Sequence, residues 1–164
     1  RLNDPNNPGF FLATGQTTTQ GAEIGANGYL TDWWQIAGGY AFTDARIASG
    51  FGTAAQAINP GNRVGLVPFN AVTLWNKFEV SPEFSFGIGY IQTGHVFASS
   101  DDTVRLPAIT RFDLGLFYRV NETWRAQVNI ENIFDRRYIA TADANNNLSP
   151  GAPRLVRFQV IARF

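Results

Sequence analysis

One feature constrains the fold of this chain more than any other: alternate residues are apolar over stretch after stretch, and the apolar set holds no charge. From Trp124 to Phe134 the even positions read Trp, Ala, Val, Ile, Asn and Phe, and the odd ones Arg, Gln, Asn, Glu and Ile. Ala108 to Val120 sets Phe112, Leu114, Leu116, Tyr118 and Val120 against Arg111, Asp113, Gly115, Phe117 and Arg119. Arg154 to Phe164 sets Val156, Phe158, Val160, Ala162 and Phe164 against Arg157, Gln159, Ile161 and Arg163. Successive side chains of a strand point to opposite faces, so each stretch reads as a strand with one apolar and one polar face. Weaker copies run over Phe84 to Tyr90, Ala71 to Val80, Trp34 to Phe42 and Gly21 to Leu30, which makes seven strands. Helical periodicity bounded by caps is hard to find.

The connections come in two kinds. Thr31-Asp32, Ser81-Pro82-Glu83 and Asn121-Glu122-Thr123 are short and polar, as tight hairpins require. Ile47 to Val67, Ala98 to Pro107 and roughly Arg137 to Ala152 are longer and rich in Gly, Asn, Asp, Ser and Pro. Short turns at one end and long excursions at the other describe an all-β antiparallel meander whose two rims differ. Arg1 to Gly9 reads as the end of a further long-rim loop, and Phe10 to Gln16 as a possible eighth strand.

Alternation alone does not name the medium, because a soluble barrel or sandwich alternates too. The polar face decides it. A soluble outer face is dense in Lys and Glu, whereas this chain has one lysine, Lys77, and its polar faces mix Arg, Asp, Glu, Gln and Asn with glycines. That suits a wet, crowded lumen. Trp34, Phe84, Trp124 and Phe164 sit where strands meet the short turns, as an aromatic band at a water–lipid boundary does. No run of eighteen apolar residues exists, so a transmembrane helix is excluded, but a spanning strand needs only about ten residues. Single-chain bacterial barrels have even strand numbers, and an open sheet edge cannot face lipid. Seven strands therefore imply part of a larger transmembrane β-barrel, and eight would allow a small barrel that closes alone.

Composition narrows the chemistry. Thirteen basic residues balance thirteen acidic ones, so no general field attracts nucleic acid. The chain has no Cys and one His, His95, which removes thiolate nucleophiles and His-rich metal sites. It also has no Met, so it is expected to be a processed product or an excised piece.

Several segments in order resemble the C-terminal part of TonB-dependent outer-membrane receptors, the ferric-siderophore branch in particular. They are Asn132-Ile-Phe-Asp135-Arg-Arg-Tyr138, Gly151-Ala-Pro-Arg154, the terminal Phe164, Gly39-Tyr40-Ala41-Phe42-Thr43-Asp44-Ala45, Pro60-Gly61-Asn62-Arg63 and Val67-Pro68. One departure is Gln20 before Gly21-Ala22-Glu23, where that family more often shows Arg. The resemblance implies a 22-stranded barrel with an N-terminal plug, of which residues 1–164 are the C-terminal barrel segment; plug domain and signal peptide lie outside this chain. It implies a multi-pass protein of the bacterial outer membrane that takes up a ferric siderophore. Its other partners are the TonB complex, reached through parts of the parent protein outside this chain, the outer-membrane assembly machinery and the lipid bilayer.

On that reading the long loops present ligand contacts, since binding residues gather on loops held by a rigid scaffold. Phe51, Arg63, Phe97 and Tyr138 are the candidates: aromatics stack on aryl groups and Arg pairs with acidic ones. Arg111, Asp113, Arg119, Arg125, Glu131 and Arg157 line the inner wall, where they either hydrogen-bond the plug or pair with one another across strands. Phe164 resembles an assembly signal. A siderophore already saturates its iron, so no metal ligand, cofactor or catalytic residue is expected of the protein. His95 is expected to be a solvated wall residue. Ser99, Ser100 and Asp101 near it have no geometric reason to form a hydrolytic triad. Competing readings are an autonomous eight-stranded structural or adhesive barrel, and a TonB-dependent receptor for cobalamin, haem or a sugar.

Overall fold

A computed structural model describes residues 2–3, 9, 11–12, 15–53 and 56–163, the side chains of 2–3, 11–12 and 51–57 excepted. Seven strands form one antiparallel sheet: β1 (Gln16–Thr31), β2 (Trp34–Ser49), β3 (Asn70–Glu79), β4 (Phe84–Thr93), β5 (Ile109–Arg119), β6 (Trp124–Glu131) and β7 (Leu155–Ala162). Their order in the sheet is their order in the chain, a pure meander. β1 and β7 are its two edges and do not pair with each other, so the described sheet is open. Among the described residues no eighth wall strand precedes β1: Phe11–Leu12 pairs with Leu2–Asn3, and Gln16 belongs to β1.

The sheet is a single layer with a bare apolar face. Even-numbered residues carry it, with Phe158 79% exposed, Ile24 72% and Val160 68%. In water such a face would be an aggregation surface. Rings mark its ends. At the short-turn rim Trp34 stacks on Phe78 at 5.8 Å, and Phe78 meets Phe86 at 5.1 Å. At the other end Phe42 meets Phe69 edge-on at 4.4 Å, and Phe112 bridges Tyr90 and Phe134 at 5.2 and 5.6 Å. The eight steps from Trp34 to Phe42 span roughly 26 Å of strand, or about 20 Å of depth at the usual barrel tilt, which suits a thin bacterial outer membrane. Two amides on this face, Asn76 and Asn70, are partnered by aromatic side chains. Trp34 Nε1–H donates to Asn76 Oδ1 at 3.0 Å and Tyr40 O–H to Asn70 Oδ1 at 2.6 Å, as apolar surroundings demand.

Strand limits depart from the sequence reading at three places, the first being β4, which runs on to Thr93 past the expected Tyr90. β2 runs seven residues past Phe42 and β1 starts at Gln16, because their mutual ladder continues from Ala22↔Phe42 to Gln16↔Ser49. Even positions there turn polar (Gln16, Thr18, Gln20, Asp44, Arg46), as strands rising above an apolar layer should. β6, expected to reach Phe134, stops at Glu131, because Asn132 adopts φ 53° and Asp135 φ 50°. Asn132 is 2% exposed and organises the turn. Its Oδ1 accepts Arg136 N–H at 2.9 Å, and its Nδ2 donates to the carbonyls of Arg136 and Ala152 at 3.0 and 3.1 Å. Its own N–H donates to Asp113 Oδ1 at 2.8 Å, and Arg154 N–H to Asp135 Oδ1 at 2.8 Å.

The two rims are built differently. Each of two short turns is capped from within: Ser81 Oγ accepts the N–H groups of Glu83 and Phe84, and Asn121 Oδ1 those of Thr123 and Trp124. The long loops are braced against each other. Gly65 N–H donates to Ser100 Oγ at 2.9 Å, Asn62 Nδ2 to Ser100 O at 3.0 Å, and Arg63 N–H to the Asp102 carboxylate at 3.0 and 3.2 Å. Asp101 reaches the third loop, accepting Asn145 Nδ2 at 2.7 Å as well as Ser99 Oγ at 2.7 Å and the Thr103 N–H at 3.1 Å. A small apolar core of Ala98, Leu106 and Ala142, flanked by Val96, Val104 and Ile139, lies beneath this lattice.

Three outcomes are expected of the intact membrane protein. Val128→Arg, on the even face, should cost about 2–4 kcal/mol of folding stability in lipid vesicles, while Gln127→Arg should cost under about 1. Urea titration in vesicles measures both, and equal costs would contradict the facing. Asn132→Ala should lower stability by about 1–3 kcal/mol by orphaning buried backbone groups, with Asn132→Asp intermediate. Its hydrogen bonds, chiefly from Ser99, hold the Asp101 carboxyl down at about 2 from 3.8. A depressed carboxylate contributes stability above its unfolded pKa and loses it as pH falls through the folded one. Exchange of the Thr103 backbone amide and of the Asn145 side-chain amide should therefore lose protection between about pH 4 and about pH 2, and Asp101→Asn should abolish that pH dependence.

Candidate functional site

The odd-numbered face opposite the apolar band is polar and organised around Trp75. The Trp75 indole lies over Gly87 and Gly89, where any Cβ would run into the ring, and reaches Gly115, where a Cβ would meet the Phe117 ring first. Three glycines on two neighbouring strands are thus the floor on which the ring lies. Beside it, Arg111 Nη2 meets Asp113 Oδ2 at 2.8 Å, Arg157 Nη2 meets Glu131 Oε1 at 2.8 Å, and Lys77 Nζ meets Glu79 Oε1 at 3.2 Å. Gln127 Nε2 donates to Asn129 Oδ1 at 2.9 Å. Four of the six expected wall residues are therefore paired with one another. Arg119 and Arg125, the remaining two, stand directly opposite each other across β5 and β6 with no ion pair among the described residues.

At the loop end, two of the four expected ligand contacts fall in one neighbourhood. Phe97 is the Cα partner of Arg105, and His95 meets the Phe97 ring edge-on at 6.5 Å. The Arg63 guanidinium lies 4.4 Å over the Phe69 ring, a cation–π contact. Burial holds the His95 pKa below its usual value, with the positive charges of Arg105 and then Arg63 adding to the effect, so the imidazole is neutral at pH 7. The cluster is thus basic, aromatic and partly desolvated. Such a surface suits an anionic ligand with planar groups.

Tyr138 lies elsewhere. Its ring covers Gly151, Gly151 N–H donates to Tyr138 O at 2.8 Å, and its side chain bonds Arg111. It braces the third loop against the wall. Phe51 sits on a short strand, Phe51–Thr53, and its side chain lies outside the described residues, as does Phe164. Ser99 and Asp101 are hydrogen-bonded to each other, but their other partners, Asn145 and Thr103, make them loop braces. Among the described residues no group of three His, Cys, Asp or Glu side chains is placed to hold a metal ion.

Sequence reasoning missed Arg105, Asp102 and Asn145. The Asp101-Asp102-Thr103 run does carry the signal of a side chain folding back on its own turn, but nothing local discloses which loop it grips.

The description "TonB dependent receptor-like, beta-barrel" matches residues 2–133. The chain is 31% identical over 156 residues to the catecholate siderophore receptor Fiu of Escherichia coli, covering 92% of this chain and 20% of Fiu. It is 31% identical over 145 residues to the "Probable TonB-dependent siderophore receptor PiuA" of Acinetobacter baumannii, covering 85% and 20%. The crystal structure of PiuA superposes with a TM-score of 0.82 at 28% identity, over 90% of this chain and 22% of PiuA. This chain therefore spans about a fifth of the length of these relatives. The match runs along the meander itself, and the chain belongs to the TonB-dependent receptor β-barrel family, its sheet being outer-membrane barrel wall.

Proposed function

We propose that this chain is the C-terminal barrel segment of a receptor that takes up a ferric siderophore across the outer membrane, energised through TonB. The observation that carries the reading is the division of one sheet into a bare, charge-free face and a polar face crowned by braced loops. The relatives supply the ligand class: Fiu is a catecholate siderophore receptor, and PiuA is a siderophore receptor. On this reading the odd face lines the lumen, the short turns face the periplasm, and the long loops face the cell surface. Plug and TonB-contacting segments belong to the rest of the protein. Arg63 and Phe97, joined by Arg105 and His95, form the loop surface that meets the ligand. Phe51 belongs to the same first loop. Tyr138 supports the third loop from below, and Phe164 is the residue the assembly machinery reads.

The inner wall residues Arg111, Asp113, Glu131 and Arg157 present their paired faces to the plug. Transport, with no chemistry performed on the ligand, is the whole of the assigned activity, so the protein is not an enzyme. Iron arrives already chelated, so the loops need to recognise the shape and charge of the complex and no coordinating side chain is called for. A neutral His95 flanked by two arginines fits that role better than it fits iron ligation.

The test uses the full-length receptor. Arg63→Ala combined with Phe97→Ala should weaken binding of a ferric catecholate complex by about tenfold or more at unchanged surface levels, the size expected for one charge-assisted contact plus one ring contact. Tyr138→Phe, which keeps the ring over Gly151, should leave affinity within about twofold. Equal binding by both variants would remove these loops from the ligand site.

A further inference from the structure

The second long loop carries a hairpin with two unlike faces. Val96–Phe97 pairs with Arg105–Leu106, and Ala98 N–H extends the ladder to Val104 O at 2.8 Å. Val96, Ala98, Val104 and Leu106 turn into the small apolar core, where Ala142 and Ile139 of the third loop meet them. Cross-strand partners, and residues two apart on one strand, share a face. The opposite face therefore carries His95, Phe97 and Arg105 together, and His95 stands edge-on to the Phe97 ring at 6.5 Å. The first loop closes this neighbourhood, since Leu66 N–H donates to Phe97 O at 2.8 Å and Arg63 is anchored through its N–H on Asp102. Two guanidinium charges, Arg105 and Arg63, act on the imidazole. The carboxylates of the same two loops are engaged: Asp102 with the Arg63 N–H, Asp101 with Ser99, Thr103 and Asn145, and Asp44 with Arg46, the backbone partner of Arg63.

We propose that His95 takes up a proton when an anionic ligand settles on Arg63 and Arg105, so that the loop surface gains a third positive charge only while the ligand is bound. This rests on the reading that these loops meet a ferric siderophore. Without an anion, burial and then the fixed charges of Arg105 and Arg63 oppose a third cation, and the imidazole is neutral at pH 7. An anion on the two guanidiniums offsets their repulsion and gives the imidazole a neighbour of opposite sign, and both changes favour its charged form. The lone pair of the unprotonated ring nitrogen then accepts a proton from the buffer, and dissociation of the ligand returns it. Both ring nitrogens become donors in the complex. A third arginine here would repel the other two at all times, whereas a histidine carries its charge only when that charge is balanced. The surface therefore separates ligands by charge, because a neutral complex leaves His95 neutral and forgoes the third cation.

The experiment is calorimetry on the purified full-length receptor with a hexadentate ferric tris-catecholate, a probe whose own charge is constant over the range in which histidine titrates. Two buffers of different ionisation enthalpy count the protons exchanged on binding. The receptor should take up a fraction of a proton at about pH 7 and bind about fivefold more tightly at about pH 6 than at about pH 8, the linkage of one histidine whose charged form is favoured in the complex. His95→Gln should bind with no net proton and with the same affinity at both pH values, and heat-modifiable gel mobility confirms that it has formed its barrel. No proton uptake by the unmodified receptor overturns the proposal without recourse to any variant. Uptake undiminished in His95→Gln overturns it equally, by assigning the proton to another group. Absence of binding at every pH overturns instead the reading of these loops as the ligand surface, and the proton coupling with it.

Discussion

Everything in this structure depends on the backbone of a single-layer sheet satisfying its hydrogen bonds without help from water. Over the apolar band a strand can count only on its neighbours, and an unpaired N–H or C=O in hydrocarbon costs several kcal/mol. A meander meets that demand with the least chain, since every strand pairs with its sequence neighbours and no crossover is needed. The same demand governs side chains. Asn76 and Asn70 are admitted to the outer face only because Trp34 and Tyr40 reach across to them. It also explains the edges: β1 and β7 show ladders of backbone groups that lipid cannot satisfy, so further strands must meet them.

Outside the band the constraint relaxes, and the two ends use the freedom differently. Short turns close on themselves through Ser81 and Asn121, using partners within their own few residues. The long loops cannot. Residues 62–66 are fixed by Ser100 and Asp102, and Asn145 is fixed by Asp101 and Thr103, so the second loop is the keystone of the other two. The described parts of the three loops are thus tied into one surface. That lowers the entropy lost when a ligand is bound, which is how a loop surface becomes selective.

Much of this was legible in the residues. The period-two pattern predicted the seven wall strands, their facing and the alternation of rims, because one face must be apolar throughout and a single charge on it would have spoiled the pattern. What stayed hidden has a common cause. Past Phe42 the pattern ends but the strand does not, since in water the β1–β2 ladder no longer needs an apolar face. Asn132 stood on the apolar set by count, yet its left-handed backbone takes it out of the strand and into a buried turn. The packing of Tyr138 stayed hidden because its partners, Gly151 and Arg111, lie 13 and 27 residues away in the chain. The wall residues were balanced between pairing with one another and reaching for an occupant, and the register divides them: four pair, two cannot.

The wall ion pairs are often the first feature credited with holding such a sheet in register, but their magnitudes argue otherwise. Arg111–Asp113 and Lys77–Glu79 join residues two apart on one strand, so sliding that strand leaves them intact. Among the described residues only Glu131–Arg157 crosses between strands, and a cross-strand pair contributes roughly 0.2–1 kcal/mol. A slip of one residue in β5 would instead carry Arg111, Asp113 and Arg119 to the apolar side, where an arginine near mid-bilayer costs about 2–4 kcal/mol and an acid somewhat less. The same slip would lift Phe112, Leu114 and Leu116 into the wet interior. Charge therefore fixes the register of this wall by where it cannot go, and the few attractions it makes afterwards are free to serve other ends.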